Sequence, residues 1–389
     1  MTTTTERIST NSMNKKFFLL IGGLIFTALF VLLFVGWNRF FSKEENNQQS
    51  TIQSLHQEGD VILPSSEAVL GQSFVVGIPG KILDEETKKI LREIKPAGII
   101  LYYRNYQTYD QFKNLITQLQ EFAKTTTGYH YFIIIDEEPG GATRLNLFKN
   151  VFDTGMPDWN RIEQDIKEMA SVGINVDLAP LVDFPFNEDT FIKKRIPAHN
   201  PEALVDFNGK FIALLQKNNI SATLKHFPGM GVFVDDPHKK LPYVSTDQKI
   251  LDESIKLFKE GIDAGANFVM TGHAVYDDID PNVPATLSKK ITTDILRDDL
   301  GFKGLAVTDD LSDMPFIIGR EINLVEATAE SLKAGHNLVI FSHRPDKMIE
   351  TFNKLLQQIQ NDSELKLLVE KNYRKVVFFK QENSLIFPQ

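Results

Sequence analysis

A (β/α)8 barrel preceded by one membrane-spanning helix is the α/β architecture that this 389-residue chain predicts. Three observations carry it. Eight short apolar, β-rich runs alternate with amphipathic stretches whose apolar residues recur every three or four positions. Continuous apolar strands separated by helices imply a parallel sheet covered on its faces, and the eight units occupy about the ~250 residues that such a barrel needs. Ionisable residues follow the strand runs on one side, where this fold carries its chemistry. An open doubly wound sheet is the alternative, but no Gly-rich nucleotide fingerprint follows the first strand.

Residues 1–16 form a short tail, and the next run is free of charge: "FFLLIGGLIFTALFVLLFVGW", Phe17 to Trp37. About 20 apolar residues are what a helix needs to cross a bilayer core. A cleavable signal peptide has a shorter apolar stretch and a small-residue cleavage site, which "FVGWNRFFSK" does not offer. The missing cysteine excludes a bacterial lipoprotein. Arg7, Lys15 and Lys16 precede the run, whereas Arg39 and Lys43 are diluted by Glu44 and Glu45. The expectation is a single-pass signal anchor, residues 17–37, in the cell membrane with the body extracytoplasmic. A buried core helix is the other reading of the same run. Residues 38–60, with "SKEENNQQSTIQSLHQEGD" from Ser42, are polar without an apolar face and read as a linker.

Residues 61–389 hold the barrel. Its strand candidates are "FVVGI" (Phe74–Ile78), "GIILY" (Gly98–Tyr102), "YFIIID" (Tyr131–Asp136), "VDLAPLVD" (Val176–Asp183), "SATLKHF" (Ser221–Phe227), "NFVMTGH" (Asn267–His273), "LAVTDD" (Leu305–Asp310) and "NLVIFS" (Asn337–Ser342). Helical stretches such as "DQFKNLITQLQEFAK" and "PEALVDFNGKFIALLQK" lie between them. Composition is ordinary for a globular chain, 42% hydrophobic and 24% charged. A net charge of −9 and an isoelectric point near 5.5 argue against nucleic acid, whose phosphates demand a basic surface. With no cysteine, disulfides, thiolate catalysis and thiolate metal sites are excluded.

The strand ends supply a candidate rim: Asp136, Asp183, Lys225 with His226, His273, Asp309 with Asp310, and Ser342 to Arg344. Loop exposure explains any one of these, but explains the set less well. The densest segment is "LKHFPGMGVFVDDPHKKLP", Leu224 to Pro242, with two histidines, three lysines and two aspartates around a Gly/Pro break.

"KHFPGMGVFVDDPH" resembles the KHFPGHG-x4-D-[ST]-H signature of glycoside hydrolase family 3, in its β-N-acetylglucosaminidase branch. "VTDDLSDM" resembles that family's nucleophile strand, and "IDEEPGGATRL", "VDLAPLVD" and "RIPAHNP" are similar to further family blocks in the same order. The likeness covers nearly everything after the linker. It implies a single-barrel retaining glycosidase in which Asp309 is the nucleophile and His238, assisted by Asp236, is the acid/base. It implies sugar contacts from Asp136, Arg195, Lys225 and His226, with His273 orienting its neighbours. A histidine suits proton transfer near neutrality, and a neighbouring carboxylate favours its charged form. The implied substrate is an N-acetylglucosamine-containing glycan or muropeptide, with no cofactor and no metal, and a monomer is expected.

The chain departs from the pattern at Met230, in place of the second histidine, and at Val232, Phe233 and Pro237. Gly-Gly-Arg becomes "GGATR", leaving Arg144 as the nearest arginine. Other readings stay open. A phosphorylase or a β-glucosidase of the same family would use similar residues, and an inactive, membrane-anchored glycan-binding protein belongs to another class. His226, Asp236, His238 and His273 suggest a metal hydrolase, but no tight ligand motif such as HExxH is present.

Overall fold

The computed structural model describes residues 63–149, 151–152, 155–186, 190–198, 200–232, 241–245, 247–312 and 323–385. The strands in chain order are β1 (Phe74–Gly77), β2 (Gly98–Ile100), β3 (Phe132–Ile135), β4 (Val176–Asp177), β5 (Ser221–Phe227), β6 (Tyr243–Val244), β7 (Phe268–Thr271), β8 (Val275–Tyr276), β9 (Leu305–Asp310) and β10 (Leu338–Phe341). Eight of them close a parallel barrel in the order β1, β2, β3, β4, β5, β7, β9, β10, with β10 paired back to β1. Each of the eight lies within a run expected from the sequence. The short β6–β8 pair, a separate two-stranded parallel sheet, was not expected.

The strand period of two explains the core. Alternate residues point inward, so Val75, Ile100, Phe132, Ile134, Val176, Phe268, Met270, Leu305, Val307, Leu338 and Ile340 fill the barrel in one buried cluster. The residues between them face the surrounding helices, as Phe74 does against Phe352 with ring centroids 5.4 Å apart. β4 is the shortest strand of the barrel because Pro180 follows it, and proline has no N–H for the ladder. Pairing resumes in a bridge between Leu181 and Lys225.

Helices between the strands start on capping side chains that satisfy their free N–H groups. Asp84 accepts from Thr87 N–H at 2.8 Å, Asn200 from Ala203 N–H at 2.8 Å, and Asn323 from Glu326 N–H at 3.0 Å. The last helix, Ser363–Glu382, turns its end under the barrel floor, where Phe379 meets Phe132 and Phe268 at 5.9 and 5.3 Å. Next to it the fully buried Lys380 donates to Gln72 Oε1 at 2.9 Å and to the Ala97 carbonyl at 2.8 Å.

Among the described residues no helix is long and apolar enough to cross a membrane. The span expected at 17–37 and the linker at 38–60 lie outside the described residues. The compact unit that contains the barrel runs from Leu63 to Gln389.

Candidate active site

The site is built where the strands end. Asp136, Glu137 and Glu138 follow β3, while Lys225 and His226 sit on β5, with β4 between the two strands. Lys225 reaches across β4, placing Nζ 2.5 Å from Asp136 Oδ1 and 2.6 Å from Glu138 Oε1. Arg144 Nη2 lies 2.7 Å from the other Asp136 oxygen. The short helical turn Phe191–Arg195 delivers Arg195, whose guanidinium forks onto Glu138 through Nε at 3.0 Å and through Nη2. The result is an alternating row of charges: Arg144, Asp136, Lys225, Glu138, Arg195.

Burial alone would push the Asp136 carboxyl up, yet Lys225 and Arg144 outweigh it and hold the group well below the usual carboxylate range. Burial likewise would push Lys225 down, but Asp136 and Glu138 together hold it above the ordinary lysine value. Both groups are therefore charged across the whole neutral range.

The "PGGATR" loop owes its shape to the same acids. Glu138 Oε2 accepts from Ala142 N–H at 2.7 Å, so the loop backbone passes so close that a Cβ on Gly141 would lie 1.9 Å from that oxygen. A larger residue there would push Glu138 off its partners. Glu137 then takes the Thr143 hydroxyl and the N–H groups of Arg144 at 2.5 Å and Leu145 at 2.9 Å. The loop thus presents Arg144 to Asp136 although the Gly-Gly-Arg spacing is lost.

On β5, His226 is fixed by Asp183, which accepts its backbone N–H at 2.9 Å and faces its Nδ1 at 2.7 Å. The same carboxylate accepts from Met230 N–H at 2.8 Å, which folds the "PGMG" turn back onto the strand end. Met230 is buried and is not among the residues that line the cavity. Its sulfur would stand 3.2 Å from a Cβ on Gly272, so it packs against the end of β7 where a histidine was expected from the pattern.

His273, after β7, links strands. Its Nδ1 lies 2.7 Å from Thr286 Oγ1 and its Nε2 3.3 Å from the Asp310 carbonyl, and burial pushes its pKa down. The two aspartates that end β9 behave differently. Asp310 is saturated: Oδ1 accepts from Ser312 N–H at 2.9 Å and Ser312 Oγ at 2.7 Å, and Oδ2 accepts from the Ser342 hydroxyl. Asp309 lines the cavity beside His226, and its carboxylate also accepts the Asp310 N–H at 2.8 Å.

These groups converge. Asp136, Arg144, Arg195, Lys225, His226 and Asp309 line one cavity of about 500 Å³, floored by Ile100, Leu178, Met270 and Ile340. That is room for a small ligand with a few convergent polar groups on an apolar base. Asp236 and His238, with Phe233 and Pro237, lie outside the described residues. Among the described residues no cluster of histidines and carboxylates is arranged to hold a metal ion.

Asp136, Lys225, His226 and Asp309 belong to the strand-end rim and Arg195 to the sugar contacts that the resemblance implies, and all five line the cavity. Glu138 and Asp183 had no assigned role. Glu138 stands two residues past the strand in the "DEEPGG" block, and Asp183 ends the fourth strand run, but which partner each meets is invisible in one dimension. Tyr102, also lining the cavity, was likewise unassigned, while His343 lies in the Ser342–Arg344 stretch of the rim.

Comparison with known proteins agrees with this geometry. Residues 67–378 match the glycosyl hydrolase family 3 N-terminal domain. A β-hexosaminidase of Methylobacillus flagellatus is 26% identical over 307 residues, spanning 75% of this chain and 86% of the relative. The structure of a family 3 β-N-acetylglucosaminidase from Paenibacillus sp. superposes with a TM-score of 0.74 at 27% identity, over 83% of this chain and 63% of that one. A β-N-acetylhexosaminidase from Beutenbergia cavernae gives the same TM-score of 0.74 at 27% identity, over 82% of this chain and 99% of that one.

Proposed function

This chain belongs to glycosyl hydrolase family 3, and from that membership we propose that it is a retaining β-N-acetylhexosaminidase acting on terminal β-linked N-acetylglucosamine. The observation that carries the reading is that Asp309, at the end of β9, lines one cavity with the Asp136–Lys225 grip. Asp136 accepts from ring hydroxyls, and Lys225, His226 and Arg195 donate. The Asp309 carboxylate attacks the anomeric carbon as the bond to the leaving oxygen breaks, and His238, paired with Asp236, gives that oxygen its proton. Water then attacks the glycosyl ester on Asp309, with His238 taking the proton back.

The apolar run at 17–37 supports a membrane anchor with the barrel on the outer side. That location suits β-linked N-acetylglucosamine from peptidoglycan fragments. The test uses a fragment beginning at Lys43 and measures nitrophenol release from the β-N-acetylglucosaminide, with and without phosphate. Activity that collapses by several orders of magnitude in Asp309→Asn and falls in His238→Ala supports the reading. Acceleration by phosphate moves the enzyme to the phosphorylases. Silence on this substrate and on muropeptides, from folded protein, overturns the hydrolase.

A further inference from the structure

The last helix, Ser363–Glu382, closes the end of the barrel opposite the cavity. One of its faces is spent on that task. Val376 joins the apolar cluster of the barrel, and Asn372 donates to Ser73 Oγ and to the Asn337 carbonyl, each at 2.8 Å. Helical spacing then dictates what the opposite face carries. Leu367, Lys371, Arg374 and Phe378 recur every three or four residues and form one stripe that points away from the barrel. Within it Leu367 is 67% and Phe378 40% exposed.

The stripe also differs in charge from the rest of the chain, which is −9 overall. From Lys366 to Phe378 the helix carries Lys366, Lys371, Arg374 and Lys375 against one acid, Glu370, with Glu364 and Glu382 at its two ends. Exposed apolar side chains set among cations suit a bilayer interface. The apolar groups enter between headgroups while ammonium and guanidinium groups face lipid phosphates. A second copy of this chain is a poorer match, because a two-fold contact would bring the same cations together.

The point where the chain enters the barrel agrees with a membrane on this side. The described chain starts at Leu63, and soon after it Gln72 and Ser73 accept from Lys380 and Asn372 of this same helix. Residues 38–62 separate that point from the apolar run at 17–37, and such a length reaches at most about 90 Å when fully extended.

We propose that the outer face of the last helix docks on an anionic lipid surface, so that the barrel stands floor-down with its cavity turned away from the membrane. The inference deepens the anchor reading of residues 17–37 and rests on it for the nearness of the bilayer. Two apolar side chains and a few cations bind too weakly to hold an untethered barrel on lipid at physiological salt. A tether that keeps the barrel within reach raises the effective lipid concentration, and the weak face is then engaged.

The chain has no cysteine, so one introduced residue can carry a label. The test places the full chain with Leu367→Cys, bearing a bimane dye, in vesicles of phosphatidylcholine alone or mixed equally with phosphatidylglycerol. Both kinds contain doxyl-labelled lipid as a quencher. Docking quenches the dye in the anionic vesicles, and about 0.5 M NaCl relieves the quenching. The same dye on Tyr103→Cys, exposed in the turn after β2 at the barrel mouth, stays bright. Lys371→Gln together with Arg374→Gln lowers the docked-to-undocked ratio roughly tenfold or more, the weight of two cations at an anionic surface.

Equal brightness at both labels, in a chain that resists carbonate extraction, overturns the docking while the anchor stands. Quenching of the Leu367→Cys dye that is the same in neutral vesicles and in the double variant also overturns it, since the tether alone then explains the proximity. A blue-shifted dye out of reach of the doxyl lipid overturns it in favour of a second copy on this face. A chain that carbonate strips, but whose Leu367→Cys dye is quenched by anionic vesicles at low salt, upholds the docking and sinks the anchor. A folded chain that does neither overturns both.

Discussion

Lys225 neutralises two carboxylates that the barrel buries within hydrogen-bond reach of one ammonium. Removing it should cost far more than removing a surface charge, since Asp136 and Glu138 would lose the cation between them and keep only Arg144 and Arg195 at the ends of the row. Lys225→Met is expected to lower unfolding free energy by about 3–5 kcal/mol, read from urea titration. The pH behaviour follows from the same contacts. Asp136 is depressed in the folded state, so its contribution is present above the ordinary carboxylate pKa of about 4 and is lost as pH falls below it. Lys225 is raised, so its contribution is present below the ordinary lysine value of about 10.4 and is lost as pH rises through the higher folded value. The Asp136–Lys225 part of the grip should therefore stay fully charged from about pH 5 to about pH 9, while kcat follows the proton chemistry of the proposed His238 dyad. A KM of His226→Gln that climbs in the middle of that window would place the grip elsewhere.

The loop after β5 depends on a backbone approach that no side chain tolerates. A Cβ on Gly231 would lie 1.6 Å from the Phe184 carbonyl oxygen, and both partners are main chain, so neither can swing aside. Phe186 N–H donates to the Gly231 carbonyl at 3.0 Å in the same crossing. Gly231→Ala should thus destabilise by about 1–3 kcal/mol and misplace His226, which the same turn holds through Asp183. Melting temperature and KM measured together would check this, and a variant with both unchanged would refute the crossing. At the other end of the barrel, Lys380 tests the floor. Burial pushes its pKa well below the ordinary lysine value, so the unfolded chain binds more protons than the folded one until about pH 10. Stability of the parent should gain on that of Lys380→Met as pH rises from about 7 to about 10, a difference legible in urea midpoints.

For the whole molecule, closure of eight strands around one apolar cluster leaves the chemistry to a single end of the barrel. The chain's acidity, −9 overall, fits a neutral glycan better than a polyanion. If residues 17–37 act as the proposed anchor, the full chain should sediment with membranes and be released only by detergent. The fragment from Lys43 should stay in the soluble fraction. A full chain that washes off with salt would contradict the anchor.

Much was determined by sequence alone. Strand runs such as "LAVTDD" and "SATLKHF" carry their own apolar period, and the fold needs only that period to set strand number and order. The residues Asp136, Lys225, His226 and Asp309 were legible because they abut those runs, so a strand end fixes where they sit. What the tertiary structure decided is which of them meet. Glu138 bonding Lys225 and Arg195, Asp183 fixing His226, and Arg104 holding His343 each join residues between 43 and 239 positions apart. No local pattern encodes such pairs, because they exist only once the barrel closes and burial makes every unpaired charge costly.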